Sequence, residues 1–62
     1  MIQIEEFTRV RIKSGVIGVV MDILKDNSAF LVEVENSNDT WDLISVDRSE
    51  ITSIFEREII TL

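Results

Sequence analysis

The stretch SGVIGVVMDIL, Ser14 to Leu24, sets two glycines three residues apart in a run that is otherwise almost wholly apolar. Such a run is a phosphate-cradling glycine loop, a nucleic-acid motif, or a bent strand closing a small barrel. The span from Gly15 to Gly18 lacks the G-K-S/T ending of a P-loop and the third glycine of a dinucleotide fingerprint. No helical pattern follows that would aim its N-terminus at phosphate. The bent strand is the reading that fits: Ser14 and Gly15 end one strand, and Gly18 predicts a bulge or sharp bend that lets both faces of the next strand pack.

Outward from this run, β-branched residues dominate, proline is absent, and turn-forming clusters recur about every ten residues, as in small all-β domains. Thr8 to Lys13 alternates Val10 and Ile12 with Arg9, Arg11 and Lys13, which predicts one buried and one basic face. Val16 to Leu24 is the long second strand, and KDNS, Lys25 to Ser28, is a polar hairpin turn. Ala29 to Glu35 sends Phe30, Val32 and Val34 inward and Leu31, Glu33 and Glu35 outward. After the turn NSND, Asn36 to Asp39, a fourth strand runs from Thr40 to Val46. It places Trp41 and Leu43 on one face and Thr40, Asp42 and Ile44 on the other. DRSE, Asp47 to Glu50, suits a single helical turn with Asp47 or Ser49 as its cap, and Ile51 to Phe55 adds a short last strand.

These elements predict one domain over residues 1–62, an all-β, five-stranded SH3-like barrel with a one-turn helix before the last strand. Residues 56–62 remain as an apolar C-terminal extension. Its Ile59, Ile60 and Leu62 want cover, either from the domain's own barrel and the N-terminal MIQI or from a second copy added at a sheet edge.

A chain of 62 residues has little apolar surface to spare for its one core. With no cysteine and no histidine, neither a disulfide nor the usual zinc ligands can help, so packing and oligomerisation are the remaining routes. No cofactor is expected. MIQIEEF places acids where a signal peptide carries lysine or arginine, and the longest apolar run, Val16 to Met21, falls far short of the ~20 residues that span a bilayer. The expectation is a soluble, cytoplasmic protein without a membrane partner. Twelve acids against six bases give a net charge of −6, which repels nucleic acid and attracts basic proteins.

The order RVRIK, G, IGVV, FLVEVE, TWDLISV, SEI resembles the small bacterial family known as domain of unknown function 4926. Its V-x-L strand falls on Val10 and Ile12, its G-x-x-G-x-V-V bend on Gly15, Gly18, Val19 and Val20, and its VEF-type strand on Val32, Glu33 and Val34. The threonine-led strand falls on Thr40 to Val46 and the closing apolar residue on Ile51. Valine stands at Val34 where an aromatic is usual, and at Val19 where threonine is usual. The resemblance covers Phe7 to Ile54; it implies the fold and a bacterial setting, and it carries over no functional residue.

Each charged or aromatic cluster has a structural and a functional reading. The bent strand is also similar to KOW-like barrels that bind RNA, but those surround the bend with lysine and arginine, whereas Asp22 and Asp26 follow it here. Arg9, Arg11 and Lys13 form either an anion-binding stripe or a solvated row that pairs across strands with Glu33, Glu35 and Asp42. Those three carboxylates would share one face as a solvated patch or as a docking surface for a basic partner; catalysis wants a desolvated acid and a cleft, and calcium wants a longer, more acidic loop. Trp41 is expected in the core, with a binding anchor as its functional reading. Phe7, Phe30, Phe55 and Trp41 are the only aromatics and most are expected inside, which leaves no aromatic groove for a proline-rich peptide.

The sequence therefore predicts a non-catalytic protein-interaction module, for instance an inhibitor or immunity-type protein that neutralises a basic toxin or enzyme. Its contact residues would be Glu33, Glu35, Trp41 and Asp42. The alternatives are a KOW-like nucleic-acid binder and a structural homo-oligomer held by Ile59, Ile60 and Leu62.

Overall fold

In a computed structural model, residues 3–36 and 38–57 are described. They form one five-stranded antiparallel sheet in the order β4-β3-β2-β1-β5, with β1 at Thr8–Ile12, β2 at Ile17–Leu24, β3 at Ala29–Glu35, β4 at Trp41–Asp47 and β5 at Ile51–Arg57. A single helical turn, Arg48–Glu50, precedes β5, so the expected all-β, barrel-like fold is present. Residues 58–62 lie outside the described residues, and with them Ile59, Ile60 and Leu62. β5 continues through Glu56 and Arg57, two residues beyond its expected end.

β2 pairs on both sides and sets the register of the sheet. Gly18 sits opposite Val10 of β1 and Val34 of β3 in regular pairing, not at a bend. A Cβ there would lie 2.5 Å from a methyl of Val32 and 2.7 Å from the Glu33 carbonyl oxygen, so glycine is required by the close approach of β3. The irregularity expected at Gly18 falls later, between Val20 and Asp22, where Met21 is the extra residue. Its effect follows from the period of two: unbroken alternation from Val20 would turn Asp22 into the core. The bulge places Asp22 opposite Leu31 on the outer face and Ile23 opposite Phe30, packed on the core. Gly15 has a different role, with φ of 95° in the β1–β2 turn and its N–H donating to the Ile12 carbonyl at 2.8 Å. Lys13 lies in that turn and not in β1, whose last residue is Ile12.

The core consists of Val10, Ile12, Val20, Phe30, Val32, Val34, Val46 and, from the N-terminal segment, Ile4 at 1% exposure. Ile4 is held there by polar contacts. The Asn27 side chain accepts from the Ile4 N–H at 3.0 Å and donates to the Ile4 carbonyl at 2.8 Å. The Arg48 guanidinium donates to the Asn27 carbonyl at 2.9 Å and also to its side-chain oxygen, while standing 5.8 Å from the centroid of the Phe30 ring. One asparagine thus ties the N-terminal segment, the β2–β3 turn and the helical turn together. Reaching this position requires positive φ at Lys25, Asp26 and Asn27 in succession, a conformation that asparagine tolerates and lysine resists. The helical turn closes with Glu50, whose carboxylate accepts from the Asp47 N–H at 3.1 Å, so Asp47 is the cap and Ser49 is not.

Gly18→Ala lowers stability by about 1–3 kcal/mol in urea unfolding, because the Glu33 carbonyl cannot yield without shifting β3; a neutral result contradicts the close approach. Lys25→Gly raises stability by about 0.5–1 kcal/mol by relieving the left-handed backbone, whereas Asn27→Gly lowers it by about 1–3 kcal/mol through the lost hydrogen bonds. Equal shifts of the same sign would refute the separate roles.

Candidate functional site

The register from Ala29 opposite Asp47 to Glu35 opposite Trp41 fixes which side each β4 residue faces, since directly opposed residues share a face. Ile44 and Val46 stand opposite Val32 and Phe30 and point inward. Trp41 and Leu43 therefore point outward with Glu35 and Glu33, and they are 58% and 57% exposed. The expected core tryptophan is a surface residue. Phe7 and Phe55 are exposed as well, so Phe30 alone among the aromatics is buried, which reverses the expectation that most lie inside.

Asp42 stands opposite Val34, on the face away from Glu33 and Glu35, so the three carboxylates do not share one face. Its exposed carboxylate accepts from the Asn36 side-chain amide at 3.0 Å. Asn36 also organises the β3–β4 turn, accepting from the Asn38 and Thr40 N–H groups at 2.9 and 3.3 Å. Arg9 and Arg11 do point outward, yet β2 lies between them and the acids. Across the outer face Arg9, Val19, Glu33 and Leu43 form one row, so Arg9 and Glu33 stand two strand spacings apart, about 10 Å, and do not occupy directly opposed positions. Arg11 lies 5.6 Å from the centroid of the Phe55 ring at the β5 side.

The charge is segregated accordingly. Residues 29–47 contain Glu33, Glu35, Asp39, Asp42 and Asp47 and no lysine or arginine. This half of the sheet ends at β4, which pairs only with β3 among the described residues. Its hydrogen-bond parity is set at both ends of the hairpin, where the Asn36 N–H donates to the Thr40 carbonyl at 2.9 Å and the Arg48 N–H to the Ser28 carbonyl at 2.8 Å. Asp42, Ile44 and Val46 consequently direct their backbone groups to β3, and Trp41, Leu43 and Ser45 direct theirs to the open edge. Sequence reasoning missed Leu43 as a surface residue because both faces of β4 carry large apolar side chains.

No group of histidine, cysteine or carboxylate side chains suited to a metal occurs among the described residues. No helix among them is long and apolar enough to cross a membrane. What fold and surface define is a small all-β, barrel-like domain with an acidic edge that displays a tryptophan and a leucine. The chain matches no protein-family model, no curated protein and no solved structure.

Since Trp41 and Leu43 lie on the outer face with more than half of their surface exposed, Trp41→Ser and Leu43→Ser each change unfolding free energy by less than about 0.5 kcal/mol. A loss of the ~3 kcal/mol typical of a buried tryptophan would return Trp41 to the core.

Proposed function

We propose that this protein is a non-catalytic interaction module that captures a basic protein on the acidic half of its sheet. The observation that carries this reading is the run of 19 residues, 29–47, with five acids and no base, laid around exposed Trp41 and Leu43. Opposite charge steers the encounter and selects the partner, while a partly apolar anchor supplies affinity that salt does not screen. An inhibitor or immunity-type role toward a basic toxin or enzyme is the specific form that this chemistry favours. Membership of the bacterial family that the strand motifs resemble belongs to the same proposal and assigns no activity.

A second reading, nucleic-acid binding through Arg9 and Arg11, is favoured by the stacking of Arg11 on exposed Phe55. It is opposed by the net charge of −6.

Pulldown from the native host tests the first reading. The protein recovers a basic partner, and the Glu33→Lys, Glu35→Lys variant loses it. A control with Glu6→Lys and Asp22→Lys, which alters net charge equally outside residues 29–47, retains it. Loss in both variants would reduce the interaction to net charge, and retention in both would remove the acidic half from the interface.

A further inference from the structure

The two edges of the sheet are built differently. β5 carries two register shifts against β1, and such irregularities blunt an edge against further pairing. β4 carries none: its seven residues pair in unbroken register with β3, and no proline or lysine protects it. Its outward backbone groups, those of Trp41, Leu43 and Ser45, form a regular template for another strand.

The occupant is selected by charge. A second copy of β4 would bring a second set of five acids from residues 29–47 against the first. A basic strand brings the complement. Residues directly opposite Trp41 and Leu43 would share their outward face, where an arginine can lie over the indole ring and extend toward Glu35 or Glu33 on the next strand. Residues between them would share the inward face with Asp42, Ile44 and Val46, where apolar side chains suit the last two.

We infer that the β4 edge takes up an extended segment of the basic partner as a sixth, main-chain-bonded strand, with arginine or lysine on the outer face and apolar residues on the inner one. This rests on the proposed capture of a basic protein and states how that capture is made. Most of the specificity would then lie in alternation of basic and apolar residues along the bound segment, and main-chain bonds would supply sequence-independent affinity.

The test uses the full chain and a synthetic peptide of alternating arginine and valine, with binding followed by the fluorescence of Trp41. With the segment antiparallel to β4, like every other pair in this sheet, the arginine N–H groups face β4 and the valine N–H groups face away. N-methylation of the arginines should weaken binding about tenfold or more, and N-methylation of the valines should leave it within about twofold. On the protein side, Leu43→Pro removes one edge donor without removing a bond to β3 and should weaken the unmodified peptide similarly. If that variant does not fold, the methylated peptides decide. Equal binding of both methylated peptides would overturn strand addition while leaving acidic-half capture standing. Failure of the unmodified peptide to bind at low salt would overturn strand addition, and the pulldown would then decide acidic-half capture. Sedimentation of the free protein as a dimer that Leu43→Pro dissociates would make a second copy the occupant and overturn the basic strand.

Discussion

The structure depends on the contact between β2 and β3 at Gly18, where the backbone of one strand lies against the carbonyl and valine side chains of the other. Nothing larger than hydrogen fits at that Cα. From this point the two strands are in fixed register, and every later decision about faces follows. Val20 meets Val32 inside, the extra residue Met21 steps the alternation by one, and Ile23 replaces Asp22 over Phe30. A chain of this size has few apolar side chains, and without the step one core position would hold a carboxylate.

The same register determines what reaches the surface. Because Phe30, Val32 and Val34 face inward, the paired Val46 and Ile44 do too, and Trp41 and Leu43 are left outside. The tight hairpin organised by Asn36 enforces this parity. At the opposite end, Asn27 secures Ile4 and Arg48, so the N-terminal segment adds the buried Ile4 to the core. The surface proposed to bind a partner is therefore a consequence of core packing, with its side chains mounted on a regular strand and not on a loop.

Much of this was legible in the residues. Alternation in β1 and β3 gave their faces, and the turn clusters gave the hairpins and the helical turn within one or two residues. β4 was not legible by pattern alone, since its odd positions carry Trp41 and Leu43 and its even ones Ile44 and Val46, two apolar sets with opposite phase. The usable signal was the turn: closure between Asn36 and Thr40 requires Val46 to meet Phe30. Gly18 was recognised as structural, but sequence does not distinguish a glycine needed for bending from one needed for close approach. The grouping of Asp42 with Glu33 and Glu35 failed for a related reason, because strand parity and not proximity in sequence decides which face a residue shares.

β4 is a regular edge strand whose odd-numbered residues turn their backbone groups away from β3, toward an edge that no described residue occupies. Native-state amide hydrogen exchange of the free protein, read residue by residue by NMR, tests it most directly. Exchange is expected to be slow at Asp42, Ile44 and Val46, which donate to β3, and fast at Trp41, Leu43 and Ser45, whose donors face the edge. Protection of all six, or of the odd set instead of the even one, would contradict it.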